Sequence, residues 1–237
     1  MYSKLTPPSH CLDCPHVHKS LLGACPVSEL AQVAQAKSYQ VYRKGQLIYH
    51  RGSRPGGIHC IHGGKVKLSR VTADGKEQIV RLAKEGDVLG YPPIIANNTY
   101  TTTAVALTDC VVCHVPRCDF LSLIEQNTQL AHSVMRLLAN ALHHSEQRLL
   151  HLAYKPVRQR LAEALLLLHE LFRPADEAAS FSIPVSRDDL AALIGTAKET
   201  ASRLLSDFRD ENLLRTQGSR ITVLDVEQVA RISMQYE

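Results

Sequence analysis

The stretch Leu130–Ala153, LAHSVMRLLANALHHSEQRLLHLA, organises the rest of the chain. Met135, Leu138, Leu142, Ser145, Leu149 and Leu152 recur alternately three and four residues apart, the a/d spacing of a two-stranded coiled-coil seam. No proline or glycine interrupts the run, and its leucines, alanines, glutamine and arginines favour helix. The same spacing suits a long amphipathic helix packed on its own domain. Position decides for a homodimer seam: glycine-punctuated, strand-like sequence precedes it and helical sequence follows. A helix there can turn a signal into a change in dimerisation.

With 237 residues the chain can bury two cores, and 45% hydrophobic against 21% charged content is an ordinary globular balance. No apolar run exceeds the five residues of Ala164–Leu168, far too short to span a membrane. The first twenty residues lack the apolar core of a signal peptide, so a cytoplasmic location away from membranes is expected. Thiols stay reduced there, and seven cysteines point to metal or redox chemistry rather than a disulfide framework. Net charge is +4, yet residues 155–237 hold 11 Lys/Arg against 13 Asp/Glu. Any nucleic-acid contact in that part must therefore come from a local cluster.

Ahead of the helix lie two segments. Residues 1–27 form a polar, proline-containing head with Cys11, Cys14 and Cys25 among His10, His16 and His18, read as loop structure folded around something. Residues 28–129 form a sensor domain. From Tyr39 to Pro116 short alternating runs are punctuated by glycine, which favours a small antiparallel barrel or roll. Asp74-Gly75 predicts a type I′ hairpin, and Asp119–Ile124 a short helix leading into the long one, residues 130–154.

Residues 155–237 form the third part. Pro156 ends the long helix and Val157–Phe172 is a second one. Arg173–Asp176 reads as a loop and Phe181–Val185 as an extended piece. Ser186-Arg-Asp-Asp189 has a capping-box pattern, Gly195 a C′ position, and Thr196-Ala-Lys-Glu199 a second capping box. Two short helices about a glycine turn make a helix-turn-helix. On the second, Ala201, Leu204, Leu205 and Phe208 share one face. Glu199, Ser202, Arg203 and Ser206, with Thr200 beside them, lie on the other near the N-terminus, where a recognition helix meets base edges. Glu199 and Arg203 also suit an ordinary i,i+4 salt pair. Two short strands about Gln217-Gly218-Ser219 read as a wing, with Lys198, Arg209, Arg215 and Arg220 as phosphate contacts. Nothing marks a catalytic nucleophile, so the chain is not expected to be an enzyme.

The glycine-punctuated roll, the long helix and SRDDLAALIGTAKETASRLLSDFRDENLL resemble the Crp/Fnr family of bacterial transcription regulators over nearly the whole chain. The resemblance implies an α+β protein: a β-roll of the cyclic-nucleotide-binding, double-stranded β-helix type, a dimerisation helix and a C-terminal winged helix-turn-helix. Glu199, Ser202 and Arg203 form an E-x-x-S-R pattern similar to the Fnr branch, which implies a TTGAT-type half-site on double-stranded DNA, with RNA polymerase as a partner. The glutamate and arginine with which the Crp branch binds a cyclic nucleotide are missing from Glu85–Leu107. The Fnr branch holds a [4Fe–4S] cluster on an N-terminal cysteine set and one central cysteine. That implies Cys11, Cys14, Cys25 and Cys113 as ligands and oxygen, or nitric oxide, as the signal. The family's spacing from the second to the third N-terminal cysteine is five residues, whereas ten stand here between Cys14 and Cys25. The nearby histidines compete, and Cys/His mixtures with C-x2-C spacing also suit zinc. Cys110 falls on the opposite strand face from Cys113, and Cys60 and Cys118 read as buried or free thiols. In the seam, Ser145 stands where the Fnr branch carries an acidic residue. Thiol oxidation, a small molecule in the roll, or an iron–sulfur redox protein with an incidental helix-turn-helix remain as alternatives.

Overall fold

The structure, a computed structural model, describes residues 10–174 and 181–234. It divides into two compact units: one runs through Arg70 and resumes over Val80–His143, and the other comprises Val71–Ile79 and the residues from His144 on.

The first unit carries the sheets. Strands β1 (Ser38–Tyr42), β8 (Cys110–Pro116), β3 (Gly57–Gly63) and β6 (Val88–Leu89) form one in that order. Strands β2 (Leu47–Tyr49), β7 (Thr103–Ala106), β4 (Val66–Val71) and β5 (Glu77–Ala83) form the other. Two-residue alternation splits β3 and β8 between two cores. Ile61, Cys110 and Val112 join Tyr49, Leu68, Leu89 and Ala104 in a core built from both sheets. Ile58 and Val115 join the head and the helices α1 (Val27–Ala36), α2 (Tyr91–Ile95), α3 (Arg117–Gln126) and the start of α4 (Thr128–Tyr154). This second core buries Val17, Leu22, Val33, Phe120, Leu130 and Val134. The sheets make the expected roll, with helices on the outer face of one of them.

The head is more ordered than a loop. Val17–Lys19 and Leu21–Ala24 are short 3-10 turns, and Val17, Leu21 and Leu22 are buried. Asn127 separates α3 from α4. Its Oδ1 accepts from the Leu130 N–H at 2.9 Å, capping α4, and its Nδ2 donates to Glu29 Oε2 at 2.7 Å. The hairpin after β4 departs from the type I′ expectation: Gly75 has φ +82° but Asp74 does not have positive φ. A type I′ turn needs both. The Gly75 N–H instead closes on the Thr72 carbonyl at 3.0 Å, within a longer loop between Val71 and Glu77.

In the second unit α5 (Val157–Phe172), headed by Pro156, packs against α6 (Arg187–Ile194), α7 (Lys198–Asp210) and α8 (Val226–Met234). Strands β9 (Ile183–Pro184), β10 (Leu214–Gln217) and β11 (Arg220–Val223) form a three-stranded sheet in the order β10-β11-β9. Gln217 pairs with Arg220 across the two-residue tip Gly218-Ser219, which is the wing. Arg173 and Pro174 leave α5 without helix; Ala175 and Asp176 of the expected loop lie outside the described residues. Among the described residues no helix is long and apolar enough to cross a membrane.

Candidate functional site

The reader is built from its caps inward. Ser186 caps α6: its Oγ accepts from the Asp189 N–H at 2.9 Å and its hydroxyl donates to the Asp189 carboxylate at 2.6 Å. Gly195 ends α6 at φ 67°, ψ 53°, a left-handed conformation that glycine adopts without the Cβ penalty. A Cβ there would also sit 2.8 Å from Leu152 Cδ2 and 3.2 Å from Arg160 Nη1. The carbonyls at the end of α6, which have no partner within the helix, find side chains instead. Gln78 donates to Ala192 O at 2.7 Å, Arg148 to Leu193 O at 2.6 Å, and Arg160 to Ile194 O at 2.6 Å. Arg148 also reaches Ile79 O at 2.6 Å.

The second capping box does not form. Helix α7 opens at Lys198 with Ala197 as its N-cap and no side-chain cap bond. The Thr196 N–H donates to Ala191 O at 3.1 Å, so Thr196 belongs to the tight turn, one residue too early to cap α7. Ala201, Leu205 and Phe208 are buried and Leu204 is half-buried. Phe208 anchors the helix further through the Arg158 guanidinium, 4.6 Å above its ring, which itself bonds both Glu211 carboxylate oxygens at 2.8 and 2.6 Å. Such a contact contributes about 0.5–1 kcal/mol at an exposed site.

Outward from that core, Lys198, Glu199 and Arg203 are exposed, and Thr200, Ser202 and Ser206 are half-buried beside them. Among the described residues Glu199 and Arg203 do not ion-pair with each other, so neither is tied up by the simpler salt-pair arrangement. Lys198 does pair with the Asp188 carboxylate, at 2.8 Å. Arg209 pairs with Asp210 at 3.0 Å, Arg215 is exposed on β10, and Arg220 on β11 donates to Ser182 Oγ at 3.1 Å.

The seam of α4 lies open on a single chain. Met135, Leu142 and Leu149 are 56%, 62% and 68% exposed, Ser145 is exposed, and Leu138 and Leu152 are half-buried. A periodic apolar stripe left this open is the face a second copy would cover.

The cysteines divide by face. Cys11, Cys14, Cys60 and Cys113 line one cavity of the first unit, together with His16, His62, Ser20 and Lys37. Cys60 and Cys113 are paired residues across β3 and β8. Cys14 Sγ lies 3.5 Å from His62 Nδ1, and the His16 and His62 rings meet edge-on at 5.8 Å. Burial pushes the Cys11 and Cys113 thiols up, opposed in both by the Lys37 ammonium, which also hydrogen-bonds Cys11. Burial also pushes up Cys60, reinforced by Cys113, Cys11 and Cys14 nearby. Cys25 is buried but is not among the cavity residues. Burial, and then the Glu29 carboxylate to which its thiol bonds, push Cys25 up to about 12.

Cys110 sits in the other core and donates to the Lys65 and Thr108 carbonyls at 3.2 Å. Cys118 is exposed on α3. Three of the four expected ligands thus share the cavity. Cys60, Lys37 and His62, which sequence reasoning did not single out, share it with them. Among the described residues no three His, Cys, Asp or Glu side chains converge on a single ion position. His10 and His18 are not cavity residues.

In the roll core, Tyr49 and Tyr100 stack with ring centroids 3.9 Å apart. Glu85, which opens the segment Glu85–Leu107, pairs with Lys65 and accepts from the Gly64 N–H at 3.0 Å.

Comparison with known proteins agrees with this architecture. A cyclic nucleotide-binding domain model matches residues 39–127 and a Crp-like helix-turn-helix domain model matches residues 159–232. The transcriptional activator protein anr of Pseudomonas aeruginosa is 29% identical over 223 residues, covering 92% of this chain and 90% of its own length. The fumarate and nitrate reduction regulatory protein of Yersinia pestis is 27% identical over 94% of this chain and 90% of its own. Among solved structures, FixK2 from Bradyrhizobium japonicum superposes with a TM-score of 0.72 at 26% identity, covering 83% of this chain and 96% of that one. Roll, long helix and Crp-like reader follow one another in a single chain similar to named transcriptional regulators, and together they support a DNA-binding transcription regulator of the Crp/Fnr type rather than an enzyme.

Proposed function

We propose that this regulator works as a homodimer on a palindrome of TTGAT-type half-sites, and that oxygen, or nitric oxide, controls it through a [4Fe–4S] cluster held by Cys11, Cys14, Cys113 and one further thiol. The reading rests on one observation: head and sheet thiols line one cavity, next to the core that also buries Leu130 and Val134 at the start of α4. Four thiolates are the donor set such a cluster takes. When bound, it would supply the reactivity toward oxygen. The chain's own residues do the rest. Lys37 places a positive charge beside Cys11 and Cys113, which favours their thiolate forms. Val17, Leu22, Val33 and Val115 line the cavity with apolar surface that limits water. Packing against Leu130 and Val134 gives the state of the head a route to the dimer helix. On DNA, Arg203 suits a bidentate pair with guanine and Glu199 an acceptor for cytosine N4, with Lys198, Thr200, Ser202, Ser206 and Arg220 around them. RNA polymerase is the partner an activator would recruit.

A relative named as a fumarate and nitrate reduction regulatory protein supports a role in regulating such reductions. The contact of Cys14 with His62 favours zinc on a mixed Cys/His set as the second reading. Iron, acid-labile sulfide and zinc measured on protein purified without oxygen separate the two. About four irons and four sulfides per chain, an absorption band that bleaches in air, and loss of binding to a labelled TTGAT palindrome on bleaching are expected. Stoichiometric zinc without sulfide would overturn the cluster and leave the DNA reader intact.

A further inference from the structure

We infer that Cys60 supplies the fourth thiolate of the cavity, in place of Cys25. This rests on the cluster reading above and specifies its ligands.

The register makes the case. Cys60 and Cys113 are directly paired across β3 and β8, and the irregularity in that pairing begins only beyond Ile61. Residues so opposed have Cβ atoms roughly 4.5–5.5 Å apart on one face of the sheet. Their neighbours His59 and His114 are likewise paired and project to the other face, their rings 5.1 Å apart. The sheet thus offers two sulfurs to the cavity at a spacing the ladder fixes. The head offers two more, Cys11 and Cys14, joined by a hydrogen bond from the Cys14 N–H to the Cys11 carbonyl at 3.1 Å. Two sulfurs from each side complete a set of four.

Cys25 has other work. Its thiol bonds the Glu29 carboxylate, and Glu29 is fixed in turn by Asn127, the cap of α4. Cys25 is not among the residues that line the cavity. The family spacing of five residues after Cys14 falls on Ser20, which does line the cavity but commits its hydroxyl to the Val17 carbonyl at 2.8 Å. A hydroxyl therefore stands where a third head sulfur would be, and the sheet provides a sulfur from the opposite wall.

The test is anaerobic reconstitution with iron and sulfide of the full chain and of Cys60→Ser, Cys25→Ser and Cys110→Ser, followed by iron and sulfide analysis and Mössbauer spectra. The four-iron species should be lost in Cys60→Ser and kept in Cys25→Ser and Cys110→Ser. Full loading of Cys60→Ser, or loss confined to Cys25→Ser, would overturn the assignment while leaving the cluster reading in place. A wild-type chain that takes up no cluster overturns both. To guard against a misfolded variant, alkylation of wild-type cysteines is followed by mass spectrometry before and after loading. Cys60 should slow together with Cys11, Cys14 and Cys113, and an unchanged Cys60 rate counts against the assignment.

Discussion

Arg148, on the long helix, donates to the carbonyl of Leu193 at the end of the first reader helix, 2.6 Å away. The same Nη2 reaches Ile79 O at 2.6 Å. Hydrogen bonds from a charged donor contribute about 1.5–3 kcal/mol, and their loss strands buried carbonyls. Arg148→Met keeps most of the stem and removes the donors. It should cost about 2–3 kcal/mol, read as a lower melting temperature, and weaken DNA binding with the dimer seam intact.

Gly195 faces two objections to any side chain, its φ of +67° and the 2.8 Å approach to Leu152 Cδ2. A non-glycine residue in the left-handed region costs about 1–3 kcal/mol where its surroundings hold it there. Gly195→Ala should therefore lower the melting temperature by several degrees and reduce operator affinity, whereas Gly218→Ala, with open space around it, should leave packing undisturbed and cost less.

Ser145 sits in the open seam between Leu142 and Leu149. A neutral residue there repels its symmetry mate far less than a carboxylate would. Without metal the chain should elute as a dimer on a sizing column at micromolar concentration. Ser145→Asp should raise the dimer dissociation constant by about tenfold or more, since like charges at a seam oppose pairing. A monomeric metal-free wild type would contradict this.

Arg203 is exposed at the start of α7. If it reads guanine, Arg203→Ala should lose about 1–3 kcal/mol on the cognate half-site and relax preference at one base position. If Arg215 meets a phosphate, Arg215→Ala should weaken all sequences alike and reduce the salt slope by about one. Binding curves at several salt concentrations distinguish the two outcomes.

Glu85 supplies a pH dependence. Its burial would raise the carboxyl, but Lys65 and the Gly64 N–H more than offset that and hold it below the ordinary value. The folded state therefore binds the proton less tightly than the unfolded chain. The stability so gained is present above the unfolded carboxyl value and is lost as pH falls through the folded one. Glu85→Gln should be less stable than wild type near pH 7, with the gap closing below about pH 4.

Much of this was legible from local pattern. The seam spacing of α4, the cap at Ser186, the glycine turn at 195 and the apolar face of α7 are all encoded within a few residues of one another. Helix α1 went unread although Leu30 and Val33 stand three apart after Pro26, because its ten residues carry only a short periodic signal. The Asp74-Gly75 and Thr196 expectations failed for a related reason. Each motif was present, but the turn around it set which residue took the special conformation. The place of Cys60 on the cavity wall was not legible in the sequence: it depends on the register of β3 against β8, set by chain about fifty residues distant. Cys25, near Cys14 in sequence, does not line the cavity that Cys14 lines.

Helix α4 contains no glycine or proline from Thr128 to Tyr154. In the proposed dimer Leu142 and Leu149 would face the second copy, while Arg148, on an adjacent face, is bonded to the end of α6. Adjacent positions lie about 100° apart around its axis. In that dimer a change in the angular phase at which the two helices mesh would turn Arg148 with it, and so bear on the first helix of the reader. For the proposed dimer, regulation would then not require the two copies to separate; a small twist between them would move the reader.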